Sequence, residues 1–138
     1  MAKIKIKSST KKLIMRKISI GIKDVELKAN LLDTVTADAI YDALPIMCSV
    51  NVWGEELYFE IPVTIKEEAE AKEIVEIGDL AFWPMGSAFC IFFGRTPVST
   101  DSNPRAVSPV NVFGKLEGNI DVLKNVVNGD MIQVKRLY

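Results

Sequence analysis

The seven residues Ala88–Gly94, AFCIFFG, decide the fold. Successive side chains of a strand point to opposite faces, so Phe89, Ile91 and Phe93 fall on one side and Cys90 and Phe92 on the other. Both sets are apolar. One face is therefore expected in the core, and the other needs a second apolar surface against it.

The neighbouring segments also have the composition of strands. Upstream, Gly78-Asp79 opens LAFWP, and Pro84-Met85-Gly86 turns the chain towards Ala88. Further back, Ile46–Trp53 is an apolar strand turned by Gly54-Glu55-Glu56 into LYFEIPVTI. There Leu57, Phe59, Ile61, Val63 and Ile65 alternate with Tyr58, Glu60 and Thr64, and Pro62 marks an edge or a bulge. Near the N-terminus, Lys12–Ile22 and Val25–Leu31 form a hairpin around Lys23-Asp24.

Between these strands, LDTVTADAIYDALP has helical spacing, with Val35, Ala39, Ile40, Ala43 and Leu44 on one face. Thr34 or Thr36 caps it and Pro45 ends it. KEEAEAKEI is expected to be a short acidic helix, with Glu67, Glu68, Glu70 and Glu73 on a solvated face. Residues Arg95–Pro109, with three of the six prolines, are expected to form one long loop. VNVFGKL is a strand, a short helix over IDVLKNV starts at Gly118 or Asn119, and Asp130–Leu137 closes the chain as a strand. Many short strands with two or three short helices predict a mainly β protein, a barrel or a sandwich with helical plugs, in a single domain, residues 1–138.

Composition excludes several classes of function. With 138 residues, 49% of them hydrophobic and 25% charged, the chain has the make-up of an ordinary globular domain. No apolar run approaches the roughly 20 residues of a membrane-spanning helix. MAKIKIKSST lacks the apolar block of a signal peptide, so a cytoplasmic location and no membrane partner are expected. The chain has no histidine, and its two cysteines, Cys48 and Cys90, lie far apart in apolar runs as expected for buried thiols. No metal or other cofactor is therefore expected. Ser99, Ser102 and Ser108 have no histidine to activate them, which removes the usual serine hydrolase.

Seven of the 17 basic residues, and no acidic one, lie in the first 17 positions. Such an arm can touch nucleic acid through phosphates. However, KIKIK alternates with period two, and lysines blunt a sheet edge. The edge-strand reading is preferred, and a nucleic-acid partner is not expected.

VELKANLLDTVTADAIYDAL (25–44), GSAFCIFFGRT (86–96) and VNVFGKLEGNIDVLKNV (110–126) occur in the order in which a cyclophilin has its capped plugging helix, its G-S-Q-F-F-I strand and its F-G-K strand with the following helix. Together with WGEELYFEIPV (53–63), they resemble a small prokaryotic group called cyclophilin-like, a shortened form of that fold, over most of the chain. The resemblance implies a closed barrel of about eight strands with two or three short helices, whose outer face carries a groove for a peptide or small molecule. It also raises the possibility of prolyl isomerisation, which must overcome a barrier of about 20 kcal/mol by weakening amide resonance.

The isomerase's own residues do not carry over. On the F-G-K match, Val110 stands where the family has its histidine; Ala88 stands for the glutamine and Cys90 for the pocket phenylalanine. No F-H-R-x-I-P-G strand supplies the arginine. Arg16 and Arg136 lie near the two ends, which leaves Arg95, the preferred anchoring cation, and Arg105. Glu55, at the tip of the Trp53–Glu56 turn, is a further polar candidate. The expectation is a binding module with no catalytic residue assigned, whose ligand groove is formed by Trp83, Met85, Cys90, Phe92, Arg95 and Phe113. The alternative is a prolyl isomerase with a relocated arginine.

Overall fold

The computed structural model describes residues 16–137. The KIKIK edge-strand reading and the start of the first strand lie outside them. The strands in chain order are β1 (Lys17–Ile22), β2 (Val25–Leu31), β3 (Ile46–Ser49), β4 (Asn51–Val52), β5 (Glu56–Glu60), β6 (Lys72–Ile74), β7 (Asp79–Trp83), β8 (Ala88–Phe92), β9 (Arg105–Leu116) and β10 (Met131–Arg136). Helix α1 (Val35–Ala43) follows β2, and short 3-10 turns occupy Pro84–Gly86 and Ile120–Asn125.

The ladder runs β3-β10-β1-β2-β9-β7-β8-β5-β4, and β6 pairs with β9 off this path. Its two ends, β3 and β4, are consecutive in the chain with only Val50 between them, so the sheet is continuous there through the backbone rather than through a ladder. The protein is mainly β.

Inside the curve lies the main core. Ile18, Ile20 and Ile22 of β1 meet Leu57 and Phe59 of β5, Phe89 and Ile91 of β8, and Phe113 of β9. Phe59 stacks on Phe89 at 4.9 Å between ring centres, and Phe113 meets Phe89 edge-on at 5.0 Å. The F-G-K run is explained by this packing. The β9–β7 register shifts between Val112 and Gly114, and Phe113, the residue between them, is buried in the core. A Cβ on Gly114 would lie 2.9 Å from the Asn30 carbonyl oxygen, so the close passage of β2 requires glycine. Lys115 pairs with Glu76 and Asp79 at 2.8 and 3.1 Å.

Thr34 is the cap of α1, accepting from the Ala37 amide at 3.0 Å. Its buried face is Thr36, Ala37 and Ile40, with Leu44 at the C-cap; Val35, expected inside, is 73% exposed. At the other end, Arg136 donates to the carbonyls of Tyr41 and Asp42, and its guanidinium and that of Arg16 both lie over the Tyr41 ring.

Three expectations are corrected. KEEAEAKEI is not a helix: a turn at residues 69–70 leads into β6, because pairing with β9 and a buried anchor at Asn111 outweigh the helix propensity of Ala, Glu and Lys. Asn111 accepts from the Glu68 amide at 2.8 Å and donates to the Lys66 carbonyl at 2.9 Å and to the Thr36 hydroxyl at 3.2 Å. Two of the four glutamates read as solvated have partners. Glu68 accepts from the Thr36 amide at 3.3 Å and from its hydroxyl, and Glu73 pairs with Arg105 at 2.9 Å.

The long loop ends at Pro104 rather than Pro109. Residues 105–109 belong to β9, where Arg105 stands opposite Ile74 and Val110 opposite Lys72. The register slips between those two pairs, in the stretch that contains Pro109, which has no N–H to give a ladder. The strand read through Ile65 stops at Glu60, just before Pro62. Ile61 is buried and Val63 and Ile65 pack on the core without a ladder partner in β5's sheet.

Candidate functional site

Both faces of β8 are covered. Phe89 and Ile91, with Phe93 beyond, belong to the main core, whereas Ala88, Cys90 and Phe92 belong to a second apolar cluster with Val75, Ala81, Ala106 and Val110. The ribbon formed by β6 and the first half of β9 supplies that second surface. Where it does not close completely, it leaves a cavity of about 230 Å³ lined by Trp53, Glu56, Tyr58, Trp83, Cys90, Ala106, Val107 and Val110.

The β5–β8 register explains which residues meet there. Glu56 stands opposite Phe92, Tyr58 opposite Cys90 and Glu60 opposite Ala88, so this alternate set projects away from the core. The turn before β5 brings in Trp53: its amide donates to the Glu56 carbonyl at 2.9 Å, and the Glu56 amide returns the bond at 3.2 Å. Gly54 has φ +60°, and a Cβ there would fall within 3 Å of Pro97 and Thr96. The turn is thus docked on the Arg95–Pro97 segment, an arrangement also held by the Glu55 amide donating to the Arg95 carbonyl at 2.8 Å.

Trp83 is fixed from two sides. A Cβ on Gly86 would lie 2.5 Å from its ring, so glycine lets the 3-10 turn pack flat against the indole. Its Nε1–H donates to the Ser108 hydroxyl at 2.6 Å, and that hydroxyl donates to Met85 Sδ at 3.5 Å.

Glu56 is the charged residue of the cavity wall, and it is only 6% exposed. Its Oε1 has no hydrogen-bond partner among the described residues. Burial pushes its carboxyl up to about 7, an effect that the adjacent Cys90 thiol, which favours the ionised form, only partly offsets. Cys90 is itself held well above the usual thiol range by burial and then by the nearby Glu56 carboxylate, so it stays protonated and un-nucleophilic at neutral pH. Cys48 and Cys90 are both free. Among the described residues no group of three or more Cys, Asp or Glu side chains could hold a metal ion, and no helix is long and apolar enough to cross a membrane.

Of the six residues that the sequence assigns to the groove, Trp83 and Cys90 line the cavity together, and Phe92 is buried in the same outer cluster. Phe113 lies on the opposite side of the sheet, in the core. Met85 is 81% exposed and reaches the site through Ser108. Arg95 is exposed, its guanidinium donating to the Ser99 carbonyl at 3.2 Å. Glu56 is absent from the sequence-derived set although its signal was available: counting back from Tyr58 and Glu60 by twos puts it on the outer face. Reading Gly54-Glu55-Glu56 as turn residues hides this, because the strand already begins at Glu56.

The cyclophilin-like family model matches residues 16–135, which spans both faces of this site. The chain belongs to the cyclophilin-like family. A solution structure of a hypothetical protein from Archaeoglobus fulgidus is 38% identical, with a TM-score of 0.75, over 89% of this chain and 95% of that one. No protein with curated annotation matches the sequence. In this cyclophilin-like protein the outer face is covered: the ribbon that carries Ala106, Val107 and Val110 lies against the strands Ala81 and Cys90 come from.

Proposed function

We propose that this cyclophilin-like chain is a binding module that takes a small ligand into the Trp53–Glu56–Trp83 cavity and does not efficiently isomerise prolyl bonds. The observation that carries the reading is a preformed, mostly apolar cavity whose wall holds a buried carboxyl with one oxygen, Oε1, lacking a partner among the described residues. Ligand sites take this form, apolar walls with a few placed polar groups. A dry cavity of about 150 Å³ takes benzene, so about 230 Å³ suits a body somewhat larger than one aromatic ring, or a single side chain of a peptide.

The relocated-arginine alternative is less well supported. Isomerisation needs a donor aimed at the prolyl nitrogen, whereas among the described residues Arg16 and Arg136 lie over Tyr41, Arg95 turns to Ser99, and Arg105 is paired with Glu73.

Both tryptophans of the protein line the cavity, so their two indole N–H resonances report on it directly. Titration with cyclohexanol should move both signals saturably, and Val107→Trp, at the 56% exposed rim, should block the change. A protease-coupled assay on Ala-Pro peptides should show no turnover above the uncatalysed rate. Unmoved indole signals would overturn the cavity reading, and turnover lost in Arg95→Ala or Arg105→Ala would restore the isomerase.

A further inference from the structure

We infer that the ligand of this cavity is an organic ammonium ion, whose positive charge is neutralised by Glu56 and whose alkyl groups lie among Trp53, Tyr58 and Trp83. The inference rests on the binding reading above and adds the chemical class of the ligand. Three aromatic side chains and one carboxylate share the wall of a single small cavity, and among the described residues no lysine or arginine lines it. A buried carboxylate is ordinarily paired or hydrogen-bonded, yet Oε1 of Glu56 has no partner among the described residues. The missing partner is a positive charge with little else polar about it.

An alkylammonium meets each part of the wall. Its charge and any N–H groups face Glu56, and the electron-rich faces of indole and phenol attract cations, most strongly when water is excluded. A hydrated metal ion fits poorly, since one carboxylate in an apolar wall cannot replace its oxygen ligands. An anion is disfavoured by Glu56 itself. The indole of Trp83, held by Gly86 and Ser108, and the docked turn that fixes the Trp53 backbone mean that this part of the wall stands ready before binding.

The raised affinity of Glu56 for a proton follows from its burial, and it gives the site a pH signature. The other titratable groups facing Glu56 are the Cys90 thiol and the Tyr58 phenol, with Glu55 next to it on the turn. An alkylammonium stays protonated through neutral pH, whereas Glu56 must lose its proton to pair with it. Binding therefore strengthens as pH rises through about 7 and levels off above.

The experiment compares n-butylammonium with 1-butanol, its uncharged counterpart, by the two indole N–H resonances of the intact protein between pH 5.5 and 8. At pH 8 the cation should bind roughly tenfold or more tighter than the alcohol, and it should weaken by roughly tenfold or more at pH 5.5, whereas the alcohol should show no such trend. Glu56→Gln should abolish both the preference and the pH dependence while still binding 1-butanol. Equal binding of the two probes, or a preference for the alcohol, overturns the ammonium assignment and leaves the cavity reading intact. If neither probe moves the indole signals, both fall. The probe and pH comparisons on the unaltered protein decide the matter even if the variant folds poorly.

Discussion

Glu56 and Cys90 are diagonal neighbours on the outer face of the β5–β8 ladder, Glu56 standing opposite Phe92 and Cys90 opposite Tyr58. Two protonatable groups thus share an apolar surface with no cation beside them in the cavity wall. Each is driven towards its neutral form, the carboxyl to about 7 and the thiol upwards from an already high value.

Glu56 makes the ligand-free protein less stable as pH rises. The folded state holds this proton more tightly than the unfolded chain, where the carboxyl returns to the ordinary 4.5. Well below 4.5 the group is neutral in both states and adds no pH-dependent cost; between there and about 7 the cost of burying its charge accumulates, to on the order of 3 kcal/mol at full ionisation. Urea unfolding at pH 5 and pH 8 should show a drop in stability in the native protein that Glu56→Gln lacks. Parallel pH profiles of the two proteins would mean that the carboxyl finds a partner or water in solution.

Phe113 contributes to stability rather than to the cavity. Its ring is fully buried and meets Phe89 edge-on at 5.0 Å, on the side of the sheet away from Trp83 and Cys90. Phe113→Ala should cost about 3–5 kcal/mol in urea unfolding, against less than about 0.5 kcal/mol for Val107→Ala at the exposed rim. The two indole resonances should be little changed in Phe113→Ala, and a large change there would connect the ring to the site after all.

The parts of the fold legible in the sequence are those that alternation determines. AFCIFFG, apolar on both parities, required two apolar surfaces, and its two faces do sit in two separate clusters. The same rule applied to β9 from Val110 places Val112 outward and Phe113 inward, whereas the F-G-K motif says nothing about which face its phenylalanine takes. β6 was not legible. Lys72-Glu73-Ile74 lies in a stretch with helical composition and becomes a strand only because β9 offers it a partner, a relationship about 30 residues away in sequence. The cavity inherits that difficulty, since half of its wall belongs to this ribbon. Glu56 was obscured for a different reason: a two-residue turn leaves it in the strand, while a three-residue turn would remove it.

Asn111 should be the residue on which the 66–71 segment depends. It is 1% exposed and serves the Glu68 amide, the Lys66 carbonyl and the Thr36 hydroxyl at once, joining β9 to that segment and to the first turn of α1. Asn111→Ala leaves part-buried backbone groups without this partner, at roughly 1–3 kcal/mol for each that water cannot reach. Hydrogen exchange at the Glu68 amide should accelerate well beyond the global loss of stability. Exchange that tracks global unfolding alone would show the segment to be held by other contacts.

Gly86 sets the position of one cavity wall. Its φ is not in the left-handed region, so alanine brings no backbone strain there; the obstacle is the Trp83 ring, two of whose carbons would lie 2.5 Å from the new Cβ. The indole must swing aside and give up its bond to the Ser108 hydroxyl. Overpacking of this kind costs about 1–3 kcal/mol. In Gly86→Ala the Trp83 indole N–H resonance should move while that of Trp53, carried by the separate turn before β5, keeps most of its position, and probe binding should fall. Ser108→Ala provides the comparison, because it removes the hydrogen bond without pushing the ring: it should shift the same resonance at smaller cost in stability and retain binding. An indole spectrum unchanged by Gly86→Ala would show that the chain absorbs the methyl group elsewhere and that Trp83 is not held by this contact.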